Sequence, residues 1–568
     1  MNMKHKLLKI TGVSLLALLL TGCMQTFEPQ GAGFIVSKKQ VADAPNAFDD
    51  LLNATTNDLV GGFPYGNNSD RANDFGLPAF FIMRDVRGQD MIPALLNWWG
   101  NFYKSTWLGP TTANAQMPWT CYYKWIKSCN LVISTAGETP TEYQKSGVGI
   151  AYAMRAYYYL ELAQLFVNAP YSKDPSAVTV PYVTEATSIV DLMKNPRLPY
   201  KEMCEKILAD LDQAEKYLAG YKRTTKEMPD LSVVYGIKAR TYLIMCDWAN
   251  AEKYAKLAQQ GYTVMTGEEY TDRNLGFNTP NDSWMLCMTI KPDDPTIRFN
   301  DADTSWGSHM ILEINPDASV SQCGYASNYG QPLVIDRHLY ETMPESDARK
   351  LCFVDFAIND LPSRDAQLKA LEKYSDYPFH LYMTGASTWG VRKDIKTTNV
   401  GGLSLKFRAA GGKEGRDNQY IGFCVSIPMM RVEEMKLIEA EAAGMQSEGR
   451  GIALLTEFAK TRDPQYVYGT HNEAYYNPNN TAFQNEIWWQ RRVEFWGEGI
   501  SLFDIKRLGK GIIRSYKGTN HIDKFQWNVD HTPDWFNYCI VDTEVNYNPN
   551  ENNPAPSHAE GNDAEFVF

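Results

Sequence analysis

Residues 232–261 read SVVYGIKARTYLIMCDWANAEKYAKLAQQG, and the spacing of their small and aromatic side chains predicts two short helices packed face to face. Ala239, Tyr242, Ala251 and Ala258 fall three, nine and seven residues apart. Small residues at such positions let paired helices approach, and the aromatic fills the gap between them. Just upstream, from Pro199 to Leu218, the apolar residues Met203, Ile207, Leu208, Leu211, Ala214 and Leu218 recur with Lys, Glu and Asp between them. That pattern is one buried stripe and one wet face of a helix. Pro199 suits its first turn, where a missing N–H costs nothing.

The intervals in 232–261 resemble the tetratricopeptide helix-turn-helix. One such unit cannot bury its own face, so neighbours must stack beside it. Helical spacing runs from Trp119 to about Leu257, and the patterns at Glu142 to Phe166, Pro428 to Gly444 and Gln484 to Arg507 supply companions. The expected fold is therefore mostly α, a tetratricopeptide-like helical-repeat scaffold over about 45–260 and 425–510. Between about 261 and 424 the character changes: Gly, Pro, Asn and Asp punctuate short aromatic stretches, with one helical stripe at Ser363 to Tyr374 and a short strand expected at Met310 to Ile314. A loop-rich insertion of that length in a helical chain is expected to bind or to cover something. Asp463 to Thr481 and the segment 511–568 read as irregular, and the tail after Asn546, rich in Asn, Pro and Glu, is expected to be poorly ordered.

The chain opens with Lys4, Lys6 and Lys9 and an apolar run from Ile10 to Leu20. That run is shorter than the roughly 20 residues a bilayer needs, and it reads as a secretory signal over residues 1–22. Leu20-Thr21-Gly22-Cys23 looks like a bacterial lipobox, with an ordinary signal peptide and an incidental cysteine as the alternative. Acylation of Cys23 would leave 23–568 as one lipid-anchored domain; two or more acyl chains, at about 0.8 kcal/mol per buried CH₂, anchor stably where one does not.

Composition excludes several classes. With 55 Lys and Arg against 67 Asp and Glu the net charge is −12, and loss of the signal makes it more negative. Such a chain is a poor candidate for binding nucleic acid or anionic lipid through a basic face. Ten cysteines are scattered without a C-x-x-C pair, which argues against a disulfide framework and a structural zinc. Cys121, Cys129, Cys204 and Cys246 fall in helical patterns and are expected to be small buried hydrophobes. H-E-x-x-H, G-x-S-x-G and the P-loop are absent, so zinc-protease, serine-hydrolase and nucleotide sites have no anchor. The eight histidines are dispersed; His521 and His531 are the closest pair of the mature chain and lack ligand spacing. No cofactor is expected; the Asp- and Asn-rich loops leave calcium open, without EF-hand spacing to support it. A pair of carboxylates suffices for glycoside hydrolysis, so counting acids does not exclude a surface hydrolase.

Four further stretches carry a family resemblance. PWTCYYKWIKSCNLVIS (118–134) sets Trp119, Tyr123, Ile126 and Asn130 in register. MRAYYYLELAQLFVNAP (154–170) contributes Arg155, Tyr158, Leu162, Phe166 and Pro170, with Val167 where a Gly is usual. RVEEMKLIEAEA (431–442) supplies Arg431, Glu434, Ile438, Glu439 and Glu441. NEIWWQRRVEFWGEGISLFDIKRLG (485–509) carries an Arg pair, Glu498-Gly499 and Asp504-x-x-Arg507, with Gln490 for a customary Glu and Ser501 for a customary basic residue. With the lipobox, and in this order from residue 20 to residue 509, they resemble the SusD-like (SusD/RagB) outer-membrane nutrient-binding lipoproteins. The resemblance implies about four tetratricopeptide-like helix pairs on a surface-exposed, lipid-anchored receptor of the outer membrane. It further implies that the chain packs as a lid over a partner SusC-like TonB-dependent outer-membrane transporter with a glycan held between them, and that it performs no covalent chemistry. A peptide receptor of the same family is the closest alternative.

Sugars present C–H faces and rings of hydroxyls, so a binder needs flat aromatic platforms with amides, carboxylates or guanidinium groups at their edges. The chain has 24 Phe, 14 Trp and 33 Tyr. In NWWGNFYKSTWLGP (97–110), Gly and Asn discourage a regular helix, and Trp98, Trp99, Asn101, Tyr103 and Trp107 are the first candidates; the resemblance implies ligand contacts in this region. One of the adjacent tryptophans belonging to the core is the competing reading. The insertion adds Trp284, Trp306, Tyr325, Tyr329, Trp389 and Arg392, with Trp306 and Trp389 flanked by Gly and small polar residues as if presented on loops. Arg84, with Asp85 and Arg87, is a candidate for edge hydrogen bonds, whereas Trp119, Trp125, Trp488, Trp489, Trp496, Arg491 and Arg492 sit in helical patterns and are expected to be structural.

Overall fold

The computed structural model describes residues 47–62, 72–298, 300–315, 324–327, 329–376, 399–546, 548 and 560–568. Cys23, Trp389 and Arg392 lie outside the described residues. The chain divides into two compact units, Met1–Asp50 and Leu51–Phe568. Of the first, only the start of a helix, Ala47–Asn53, is described; the second holds the helical scaffold.

Helices dominate, as the apolar spacing requires. Ala113–Ala136 packs on Glu142–Phe166, which packs on Tyr200–Tyr217. Thr141 starts the second of these with a reciprocal cap, its hydroxyl accepting from the Gln144 N–H while the Gln144 amide accepts from Thr141. The 232–261 stretch forms the hairpin Leu231–Ile244 and Trp248–Ala258, each helix capped by an aspartate, Asp230 and Asp247. Ala239, Ala251 and Ala258 are fully buried between elements as their spacing predicts. Tyr242 is half-buried and stacks on Tyr254 of the second helix, so the aromatic bridges the two helices of the hairpin (5.5 Å between rings).

The scaffold then bridges the insertion: Trp248–Ala258 packs directly on Val432–Gln446, which pairs with Glu448–Ala459, and Ala482–Glu494 lies against both. Two expected helical runs are shorter than their patterns. Ser426–Arg431 is a strand, antiparallel to Trp284–Thr289, and the helix begins only at Val432; both faces of that strand are buried, so its apolar run lacks the alternation that would have marked it. The run from Gln484 to Arg507 breaks between Ala482–Glu494 and Ser501–Leu508, where Gly497 and Gly499 take φ of 80° and 72°. A Cβ on Gly499 would meet Phe81 Cα at 2.7 Å, so only glycine fits.

Gly444 and Gly451 let the Val432–Gln446 and Glu448–Ala459 helices meet backbone to backbone. A Cβ on Gly451 would lie 2.3 Å from Gly444 Cα, and one on Gly444 would lie 2.1 Å from Phe483. Gly444→Val is expected to cost about 1–3 kcal/mol of folding free energy through overpacking, read as a lower urea midpoint at an unchanged slope. A wild-type midpoint would show that the helices separate freely.

The irregular segments depart from expectation in three places. Met310 to Ile314 is not a strand: Trp306–Met310 is a short helix capped by Ser305, and 311–315 has no regular structure. The helix expected at Ser363 to Tyr374 is present but shorter, as Arg364–Leu371. Residues 560–568 of the tail are mostly exposed but tethered: Phe566 N–H donates to Ser515 O (2.8 Å), and the Phe568 ring stacks on His338 and meets Tyr475 and Tyr516 edge-on. Two terminal aromatics seated on three rings outweigh the polar composition before them. Cys121, Cys129 and Cys204 are buried free thiols, and Cys246 is partly buried.

Candidate functional site

A three-residue strand positions the site. Met91–Pro93 pairs antiparallel with Leu333–Ile335, Met91 opposite Ile335, and Ala94 N–H continues the ladder to Pro332 O at 3.0 Å. This pairing sets residues 95–99 beside Tyr325, Tyr329 and Gln331 of the insertion. Leu95, Leu96 and Trp98 emerge exposed on this edge, Trp98 at 36%. The Trp98 indole meets Tyr325 edge-on at 6.3 Å, and Tyr325 meets Tyr329, which is 40% exposed, at 5.1 Å.

Hydrogen bonds hold the backbone at Trp98 and Tyr325 and the hydroxyl of Tyr329. Asn73 Nδ2 donates to Trp98 O (3.0 Å), and the Asn97 amide donates to Gln331 Oε1, tying the two segments together. Asp303 accepts Gly324 N–H (2.7 Å) and the Tyr329 hydroxyl (3.0 Å). Burial raises the Asp303 carboxyl above its ordinary value, and those two donors work against the shift. Ser308 takes Tyr325 N–H on its hydroxyl (3.0 Å) and Ala326 N–H on its carbonyl (2.8 Å). Beneath Tyr325 lies His309, parallel at 4.8 Å, and beneath that Phe75 at 5.6 Å.

The other candidates are placed elsewhere. Trp99 is fully buried, and its indole N–H donates to His309 Nδ1 at 3.1 Å; of the adjacent tryptophans, one is core and one is exposed. Tyr103 is buried, its hydroxyl 2.9 Å from His521 Nδ1 and its ring beneath the Arg514 guanidinium at 4.1 Å. Asn101 is half-buried and its carbonyl accepts Thr106 N–H at 2.9 Å. Trp107 is 72% exposed, on a turn where both it and Ser105 take left-handed φ of 54° and 53°. Among the described residues no ring contact joins it to the Trp98 cluster.

Expected exposure is corrected at three positions. Trp306 is buried against Phe407 (5.2 Å, 88°), and Trp284 is buried in its strand. Arg84 forms a buried ion pair with Glu161, so it supplies no edge to a surface ligand. Its neighbours are equally inward: Asp85 accepts Gly499 N–H (3.0 Å) and Ser501 N–H (3.3 Å), with burial pushing its carboxyl up to about 7, and Arg87 donates to Trp535 O.

Sequence reasoning missed Phe75, Asn97, Asp303, His309 and Gln331. Only Asn97 carried a signal, as the residue that opens the tryptophan-rich stretch 97–110. The cluster can do one thing chemically: offer ring faces and edges, with an acidic and two amide groups near them, to a ligand having both apolar faces and hydroxyls. Among the described residues no group of three or more His, Cys, Asp or Glu is placed to hold a metal ion, and no helix is long and apolar enough to cross a membrane.

Comparisons with known proteins agree with this architecture. The sequence profile of a SusD-like family, described as "Starch-binding associating with outer membrane", matches residues 81–243. A SusD-like carbohydrate-binding protein from Bacteroides vulgatus shares the fold at a TM-score of 0.64 and 22% identity, covering 88% of this chain and 96% of its own. A SusD superfamily protein from Bacteroides thetaiotaomicron gives 0.63 at 18% identity, covering 91% of this chain and 100% of its own. Surface glycan-binding protein A from Bacteroides thetaiotaomicron, solved with laminarihexaose, gives 0.60 at 16% identity, covering 88% and 97%. No curated protein matches the chain. The SusD-like resemblance read from the sequence is borne out, and the mostly helical, tetratricopeptide-like architecture is that of the SusD superfamily.

Proposed function

We propose, from the premise that this is a SusD-like chain, that it is an outer-membrane surface lipoprotein which binds a glycan on the Trp98–Tyr325–Tyr329 platform, delivers it to a SusC-like TonB-dependent transporter and breaks no bond in it. The observation that carries the reading is the ring cluster itself. Its members lie 227 and four residues apart in the sequence, yet strand pairing and hydrogen bonds to three side chains, Asn73, Asp303 and Ser308, hold their segments together at the surface. Rings held that firmly in a partly wet position serve no packing need that smaller residues could not meet. A sugar ring laid on them covers apolar faces while its hydroxyls stay within reach of Asp303 and the Asn97–Gln331 pair. The glycan-binding neighbour solved with laminarihexaose supports the ligand class, and the family's description supports the outer-membrane setting. Lipidation at Cys23 fits that setting.

Calorimetric titration of the purified chain with laminarihexaose and with a starch-derived malto-oligosaccharide tests the reading. Binding of one of them is expected, of modest affinity because an open platform recovers only part of the ordering cost, with chromatography showing no shorter product. Turnover of either oligosaccharide would make the protein a hydrolase. Binding of extended peptides but of neither sugar would make it a peptide receptor.

A further inference from the structure

His309 is the one group that touches every layer behind the platform. Its Nδ1 lies 3.1 Å from Trp99 Nε1 and its Nε2 lies 2.8 Å from Ala72 O. An indole N–H can only donate and a carbonyl can only accept. Nδ1 is therefore bare, Nε2 carries the proton, and the ring is neutral. Burial agrees, pushing the imidazole down to about 3. On its faces lie Tyr325 (4.8 Å, 1°) and Phe75 (5.6 Å, 20°), a continuous stack that ends in the half-buried Tyr325 ring, which itself meets the exposed Trp98 and Tyr329. The preceding residue, Ser308, holds the backbone of Tyr325 and Ala326. The short helix Trp306–Met310, whose cap Ser305 accepts Ser308 N–H at 3.2 Å, thus supports Tyr325 from below and the Trp98–Trp99 turn from the side.

We infer that His309 is a positioning residue for ligand binding: as a neutral Nε2–H imidazole it joins the Trp98–Trp99 turn to the Tyr325 ring and fixes the angle between the Trp98 and Tyr325 rings. The inference rests on reading Trp98 and Tyr325 as the glycan platform. Phenylalanine at this position would keep the stack and lose both hydrogen bonds; alanine would lose both devices.

The experiment uses the full chain as wild type, His309→Ala, His309→Phe, Tyr325→Ala and the His309→Ala/Tyr325→Ala double variant, titrated with whichever of laminarihexaose and the malto-oligosaccharide the wild type binds. His309→Ala is expected to weaken binding about tenfold, His309→Phe by less, and His309→Ala to add little once Tyr325 is gone, because the two act as a unit. Wild-type affinity in a folded His309→Ala protein, or full additivity with Tyr325→Ala, overturns the inference. If His309→Ala does not fold, His309→Phe takes its place, and wild-type affinity there overturns it equally. A crystal structure of the folded variant without ligand provides an arm independent of binding: a displaced Tyr325 or Trp98 ring is expected, and a superimposable platform refutes the positioning role. Should the wild type bind neither sugar, the glycan reading fails while this last arm still decides the inference.

Discussion

Replacing Glu494 by Gln is expected to remove about 3–5 kcal/mol of folding free energy, the cost of leaving buried charge without its partner. Glu494 is fully buried and accepts from three arginines: Arg462 at 3.0 Å through both Nε and Nη2, Arg431 at 3.1 Å and Arg349 at 3.3 Å. Each arginine has a second anion: Arg431 pairs with Glu498 (2.8 Å) and Glu433 (3.0 Å), Arg462 with Glu433 (3.2 Å), and Arg349 with Asp347 (2.6 Å). Lys406 caps the group, donating to the carbonyls of Glu494 and Trp496 and to Glu498. A glutamine would keep the shape and one acceptor but leave a surplus positive charge where water does not reach. The guanidinium groups hold the Glu494 carboxyl far below the ordinary carboxylate range despite the opposing effect of burial. A folded-state value below the unfolded one, about 4.3, means that its contribution is complete above that pH and is lost as pH falls toward the folded value. Urea unfolding at pH 7 should therefore show the full deficit, and the gap between variant and wild type should narrow in strong acid. Equal midpoints at pH 7 would mean that the remaining acids compensate the network.

That network explains why so much of the scaffold was legible in the sequence. The residues that carried the family resemblance are those that fasten helices to one another. Arg155 pairs with Asp210 (2.6 Å) and Asn130 (2.7 Å), Arg491 with Asp504 (2.6 Å), Arg507 with Glu441 and Asp504, and Arg492 with Asp90 and Glu473. Loss of one partner of such a buried pair is costly, so both members stand together in the sequence, and helical periodicity is itself a local property. Trp119, Trp125, Trp488, Trp489 and Trp496 are all buried, as their places in those patterns predict.

The site was less legible because exposure of a ring in an irregular segment is decided by partners far along the chain. The ladder that sets Trp98 beside Tyr325 is three residues long, too short to show alternation. Glycine misled in one place: Gly307 beside Trp306 read as loop punctuation, whereas a Cβ there would strike the Phe423 ring at 2.3 Å, so the glycine marks tight packing. His309 carried no signal, since a lone histidine in an irregular stretch looks alike whether it is wet or stacked between rings.

Trp98 and Trp99, adjacent and identical in kind, are expected to fail in opposite ways. Trp98→Ala should weaken oligosaccharide binding by about 1–3 kcal/mol, the scale of one lost aromatic contact, while leaving the unfolding midpoint near wild type, because the ring is 36% exposed and its backbone is held by Asn73. Trp99→Ala should cost about 3–5 kcal/mol of stability, the usual penalty for emptying a buried tryptophan site, since its ring is fully enclosed by Phe75 and His309 and its N–H has a partner. Removing both at once would confuse the two effects, so the variants must be made singly, each with a denaturation curve and a titration on the same preparation. A Trp98→Ala protein that binds as tightly as wild type would take the platform out of the recognition site. A Trp99→Ala protein that unfolds normally would mean that the stack beneath it is not under load, and the rigid presentation of Trp98 would need another cause.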